Sequence, residues 1–402
     1  MPSPACATVP IMTLPRHPAR FARAAAMCAA AVGLSAAVIP AASAASQPAP
    51  AVGRAAAGHF PSPLSWKLLD TGTQVHFRGL APVSRKVAWL GGYDGVVLRT
   101  VNGGRTWINA SPAGASALQF RDIEAFSATR AVAMAAGTGT DSRLYVTANG
   151  GRSWRLAYKN TNPQAFFDCM AFFNPRHGLV LSDPVNGKFR ILSTSDGGRD
   201  WSVLPNAGMP PALPGEASFS ASGTCITTQG GRNAWVATGG SDIARILATR
   251  DGGDTWNAYD TPLVSSPSAG AISVAFRNPW NGIVGGGDLG SNSSADAATS
   301  DDGGMTWTLT TKPPVQGSIF CLSYVQGTGG EATGDDQQFD RTVVITAETA
   351  PDFDSGSAAW TPNEGKTWFA LPQVSGYWAV AFATPKAGWF VGNNGQILKI
   401  SF

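Results

Sequence analysis

The sequence predicts an all-β, seven-bladed β-propeller, and three observations predict it. A turn motif recurs at intervals near fifty residues, and periods of that size are the signature of propellers and related repeat folds. Runs rich in β-branched and aromatic residues flank each copy, three before and one after. The two ends of the folding region are complementary, as if one blade were split between them.

The motif has the spacing i, i+2, i+4, i+7. Its copies are Thr100-Asn102-Gly104-Trp107, Thr147-Asn149-Gly151-Trp154, Thr194-Asp196-Gly198-Trp201, Thr249-Asp251-Gly253-Trp256, Ser300-Asp302-Gly304-Trp307 and Thr361-Asn363-Gly365-Trp368. The residue types suit a hairpin turn. Asp or Asn caps neighbouring backbone amides, Gly supplies positive φ, and the leading hydroxyl makes a local hydrogen bond. The Trp opens the next strand and wedges between blades, where a ring buries about 150–250 Å². In the fourth repeat the strand signals are 220–228, 234–238, 246–249 and, after the turn, 256–259. Four strands per repeat make a blade. The C-terminal end supplies three strands without a motif turn (377–384, 388–391 and 396–400), and Ser65–Leu69 supplies a fourth whose Trp66 has no turn before it. Pairing them closes the ring, removes an open edge and makes the count seven.

Ahead of this region lie Arg16, Arg20 and Arg23, an apolar run from Ala24 to Ile39, and the small residues Ala42 to Ala45. A basic segment, a short apolar run and an A-x-A site predict a secretory signal peptide over 1–44, too short and Ala-rich for a stable span. Met27 excludes lipidation at Cys28. A flexible linker over 45–61 and a propeller over 62–402 follow, exported to the periplasm or the exterior as a monomer without a membrane span. The leader holds three of the 29 Lys and Arg and none of the 26 Asp and Glu, which leaves 26 of each. That balance excludes a basic nucleic-acid binder. Cys169, Cys225 and Cys321 remain after processing, a sparse odd set that predicts neither a disulfide framework nor a zinc site.

The motif turns join third to fourth strands, so they share one face. The channel mouth on the opposite face is the expected binding site. Aligning the innermost strands gives three rings of equivalent positions. Leu80, Ile123, Met170, Ile226, Val274, Leu322 and Val380 form a core ring. Arg78, Arg121, Asp168, Thr224, Ile272, Phe320 and Trp378 stand two residues earlier, with Gly79, Asp122, Cys169, Cys225, Ser273, Cys321 and Ala379 between. The small middle ring predicts cysteines packed as hydrophobes with no disulfide. Departures from the repeat toward charge or aromaticity mark binding candidates: Arg78, Arg121, Asp168, Asp183, Glu216, Tyr377 and Trp378. Asp122, Glu124, Gln164, Asp288, Glu348 and His76 are further charged or polar departures. The Gly/Ser-rich segment 215–223 is expected to shape a pocket wall. Asp168 is expected to pair with the arginines, which would lower its pKa. There is no nucleotide-binding strand-turn-helix and no His cluster, so neither cofactor nor metal is expected.

The six turns are identified as the Asp-box, or bacterial neuraminidase repeat. With the seven-blade closure, the chain from Ser65 to Phe402 resembles the photosystem II assembly/stability factor family. That resemblance implies an exported, non-catalytic propeller that binds a protein or assembly intermediate, using a basic patch to which Arg78 and Arg121 would contribute. The sialidases share the box. Phe77-Arg78-Gly79-Leu80 matches their F-R-I-P motif imperfectly, and no second and third arginine beyond Arg121 completes their triad. The alternative function is a glycan hydrolase using Asp168, Asp183 and Glu216 as channel-face carboxylates.

Overall fold

The computed structural model describes residues 65–293, 295–326 and 338–402. The expected leader (1–44) and linker (45–61) lie wholly outside them, as do the first three residues of the expected propeller. The described residues form seven four-stranded antiparallel sheets, and together they make a seven-bladed β-propeller. Blade 1 runs Phe77–Pro82, Ala88–Gly92, Val97–Thr100 and Ile108–Asn109, from the channel outward. The expected closure is present, shifted by one residue. Ser65–Leu69 pairs antiparallel with Ile397–Ser401, Ser65 opposite Ser401 and Leu69 opposite Ile397. Trp66 packs on Phe390, their ring centroids 6.4 Å apart.

The repeated turns are built as their residue types require. Thr249 Oγ1 accepts from the amides of Asp251 (3.3 Å) and Gly253 (3.0 Å) and donates to Asp251 Oδ1. Gly252 and Gly253 hold φ of 87° and 106°, a region that costs other residues a Cβ clash. The sixth turn departs from this rule, since Glu364 takes φ 54° where the other turns have glycine. Its carboxylate accepts from Arg277 Nε (2.6 Å) and Tyr324 Oη (3.0 Å), which ties blade 5 to blade 6 and offsets the strain.

The tryptophans wedge as expected. Trp154 meets Trp89 and Trp107 meets Trp389 edge to face across blade boundaries, centroids 6.1 Å apart in both pairs. Trp235 of blade 4 stacks on Phe276 of blade 5.

The innermost strands carry a feature that no single strand's sequence expresses. In six of the seven blades the pairing of first with second strand slips at one equivalent place. The residue left over in each bulge is Arg78, Arg121, Asp168, Ile272, Phe320 or Trp378. These belong to one aligned ring, so the channel mouth is a ring of β-bulges, and a bulge re-aims its side chain. In blade 4 the paired strand starts later, at Ile226. The expected strand over 220–228 is therefore mostly loop.

The small middle ring overturns one expectation. Cys169 and Cys225 form a disulfide, with Cα atoms 5.8 Å apart. Inner strands converge toward the axis, so neighbouring members of this ring fall within the 4.4–6.8 Å that a disulfide spans. Cys321 stays free and buried because its ring neighbours are Ser273 and Ala379. The ring is also more than packing. Inner strands are sheet edges whose outward amides lack ladder partners, and this ring supplies acceptors. Asp122 Oδ2 accepts from Met170 N (2.6 Å), Ser273 Oγ from Leu322 N (3.0 Å) and Cys321 Sγ from Val380 N (3.3 Å). Asp122, a charged departure by sequence, is thus an inter-blade fastener.

Candidate binding site at the channel mouth

Segment 217–223 does more than wall a pocket; it crosses the channel. Ser220 Oγ donates to the Asp168 carbonyl of blade 3 (2.9 Å), and Ser222 Oγ donates to the Phe320 carbonyl of blade 6 (2.7 Å). Thr224 Oγ1 bonds Ser273 of blade 5 at 2.7 Å. Ala221 is buried in an apolar cluster with Ile272, Phe320 and Trp378, against which Phe219, Leu289 and Phe353 pack. The channel is therefore plugged at this face, and the plug anchors on blades 3, 5 and 6.

The mouth divides into a cationic half and an apolar half. On the cationic side, Arg78 Nη1 and Arg121 Nη1 both donate to the Ser220 carbonyl, at 3.2 and 3.4 Å. Arg78 is sandwiched, its guanidinium carbon 3.7 Å from the Trp378 ring centroid and 5.2 Å from that of Tyr93. Burial and then the charge of Arg121 lower its pKa to about 9. His76 stacks on Tyr93 and meets Trp378 edge-on. Burial, followed by the two arginines, pushes its pKa down to about 3, so it stays neutral. Arg121 remains half-buried, braced by Gln119 Oε1 at 3.1 and 2.8 Å.

The acids do not pair with these arginines. Neither arginine has a carboxylate within ion-pair distance among the described residues. Asp168 is 1 % exposed and its Oδ2 has no partner among the described residues. Its pKa rises well above the usual carboxylate value, through burial first and the neighbouring Asp183 second. The expected lowering is thus reversed: desolvation outweighs the attraction of Arg121. Asp183 accepts from Ser218 N at 3.0 Å, and burial raises its pKa to about 6. The mouth thus presents two guanidiniums that share the Ser220 carbonyl and have no carboxylate within ion-pair distance among the described residues.

Other candidates are placed elsewhere. Glu216 is buried and grips Arg245 through Oε1–Nε (2.9 Å) and Oε2–Nη2 (2.5 Å). It also accepts from Thr238 Oγ1 and Leu213 N, so it shapes the plug's base. Tyr377 is buried in the core against Phe390, and burial raises its pKa to about 12. Trp378, next to it, is at the mouth and donates to the Phe353 carbonyl at 3.1 Å. Asp288 closes its own turn, accepting from Ser268 Oγ and Gly290 N. Gln164 is an exposed loop residue whose amide donates to Asn162 Oδ1. Glu348 is buried under residues 349–356, and burial raises its pKa to about 9.

Three accessible mouth residues escape the strand alignment: Tyr93, Leu289 and Phe353. All lie on loops joining second to third strands, outside the aligned rings. Phe353 has one local sequence signal: its loop, residues 349–356, contains Pro351 and is rich in Asp and Ser. Among the described residues no group of three or more His, Cys, Asp or Glu could hold a metal, and no helix is long and apolar enough to cross a membrane.

No protein-family model matches the chain, and no curated protein matches it. Solved structures do. A structure described as YCF48 bound to D1 peptide aligns at TM-score 0.56 and 14 % identity, covering 84 % of this chain and 95 % of that one. YCF48 from Cyanidioschyzon merolae aligns at TM-score 0.57 and 16 % identity, covering 84 % and 98 %. A GH74 enzyme from Niastella koreensis aligns at TM-score 0.42 and 11 % identity, covering 80 % and 64 %, too loosely to bear on chemistry. At these identities the likeness to YCF48 is one of fold.

Proposed function

We propose that the chain is an exported, non-catalytic protein-binding module of the Asp-box type. It would hold a partner segment at the plugged channel mouth, through Arg78, Arg121 and the Trp378–Phe353 side. One observation carries the reading: Arg78 and Arg121 converge on the Ser220 carbonyl with no carboxylate paired to either among the described residues. Two guanidiniums without a paired carboxylate, beside the half-buried rings of Tyr93 and Phe353, suit an acidic or carboxylate-bearing segment with an apolar neighbour. The fold-level likeness to a YCF48 that holds a peptide supports a propeller in this role. The test is affinity capture from the exported fraction of the producing cells, with wild type and Arg121→Glu side by side. A specific partner retained by wild type and lost by the variant supports the reading; equal capture by both sinks it.

A second reading, glycan hydrolysis by Asp168, Asp183 and Glu216, has one observation in its favour. The raised pKa values of Asp168 and Asp183 are of the kind a general acid needs. Against it, Asp168 is 1 % exposed and its carbonyl is capped by Ser220, while Glu216 is committed to Arg245. Only Asp183 keeps appreciable exposure, and a glycosidase of this type needs two carboxyls at the substrate. Turnover of fluorogenic glycosides that Asp183→Asn abolishes would promote this reading over the first.

A further inference from the structure

The plug converts the channel into a blind well that opens on the face of the repeated turns. The well has a volume of about 570 Å³. Its floor is Ser222, Gly223 and Thr224, and its rim includes Pro82, Val83, Asn174 and Pro175. One aligned ring of the innermost strands faces it, the position after the core ring: Ala81, Glu124, Ala171, Thr227, Ala275, Ser323 and Ala381. Six of these side chains are small, as a narrow channel requires. The seventh is a glutamate, a departure that packing does not demand.

Glu124 has no side-chain hydrogen bond or ion pair among the described residues. No lysine, arginine or histidine lines the well. The other ionisable groups facing it are Asp122, on the same strand, and Tyr324, from blade 6. Asp122 is engaged by Met170 N and Tyr324 by Glu364. Glu124 stands among Ala, Ser and Thr side chains with no cation among the residues that line the well, and a cationic ligand would supply the missing counter-charge.

We propose that the well binds an alkylammonium group, its nitrogen against the Glu124 carboxylate and its methylenes along the alanine wall. The group could belong to a free aliphatic amine or to a lysine side chain of a partner segment. Burial raises the Glu124 pKa to about 8, so amine binding below that pH must release a proton from Glu124. Affinity therefore rises about tenfold per pH unit up to about 8, then levels off while the amine, with a pKa near 10, stays charged.

The experiment is calorimetric titration of the purified full chain with 1-aminopentane and with 1-pentanol, at pH 6 and pH 8. The expected result is amine binding at least tenfold tighter than alcohol binding at pH 8, weaker at pH 6, with the preference erased in Glu124→Gln. A peptide carrying one lysine, with and without acetylation of its amine, distinguishes the two sources. Lysine-dependent peptide binding assigns the well to a partner side chain, and binding of the free amine alone assigns it to a small molecule. Ser323→Leu fills the well across from Glu124 without touching it and should abolish amine binding, which keeps the test open if Glu124→Gln does not fold. Equal binding of amine and alcohol, an unaltered preference in Glu124→Gln, or amine binding undiminished by Ser323→Leu would overturn the proposal.

Discussion

At the scale of single residues, the acids of this chain do three different jobs, and only their surroundings separate them. Glu216 is an ion-pair partner, and removing it strands Arg245 in a buried site. Glu216→Ala should cost about 3–5 kcal/mol in chemical denaturation, and adding Arg245→Met should recover most of that loss. A double variant no more stable than the single would contradict the assignment. Glu348 is a buried acid whose folded pKa lies near 9, well above its unfolded value. The folded state therefore holds a proton that the unfolded state releases, so stability falls as pH rises from the unfolded pKa to about 9. Glu348→Gln carries no such proton. Its advantage over wild type should be absent near pH 4 and grow by up to about 1.4 kcal/mol per pH unit toward pH 9; parallel stability curves would refute this. Asp122 is the third kind, an acceptor for a neighbouring blade's amide. None of these roles is legible from residue type. Each depends on what the fold sets opposite the side chain, as with Glu216, whose partner Arg245 faces Thr238 across the ladder.

At the scale of elements, the turns were legible and the bulges were not. Hydroxyl, Asx and glycine at fixed offsets define a turn through local hydrogen bonds alone, so six copies in the sequence became six turns in the structure. A bulge is a mismatch between two strands and has no signature in either one. Alignment of the repeats found the ring of Arg78, Arg121 and Asp168, yet it could not foretell that the fold re-aims these residues at the mouth. The same holds for segment 215–223, legible as an anomaly and not as a plug, because its anchors on Asp168 and Phe320 lie in other blades. The disulfide is the sharpest case. Cys169 and Cys225 lie 56 residues apart in sequence but adjacent in the ring, so blade order, rather than sequence spacing, decides which cysteines meet. Alkylation of the unfolded, unreduced protein should label one fewer pair of thiols than after reduction. Cys169→Ser with Cys225→Ser should cost roughly 2–4 kcal/mol. Equal labelling before and after reduction would remove the bond.

At the scale of the whole molecule, closure was legible because both halves of the last blade carry their own signals. Trp66 lacks a turn before it and the C-terminal strands lack one after them. A chain beginning at Asp70 loses the strand that covers Ile397–Ser401 and should melt earlier and self-associate through the opened edge; an unchanged melting temperature and a monomeric profile would contradict the closure. The same closure fixes two unlike ends of one channel, a plugged mouth with paired arginines and aromatic surface, and a blind well on the turn face. The central claim is that a partner docks on the mouth. Site-specific photocrosslinking in the producing cells tests it most directly, with the probe placed in turn at Arg121, Leu289 and Phe353 on the mouth, and at Trp280 and Met305 on the turn face. The account predicts one shared adduct from the three mouth positions, an adduct that the turn-face positions do not give. Adducts confined to Trp280 and Met305, or none from the mouth, would contradict it.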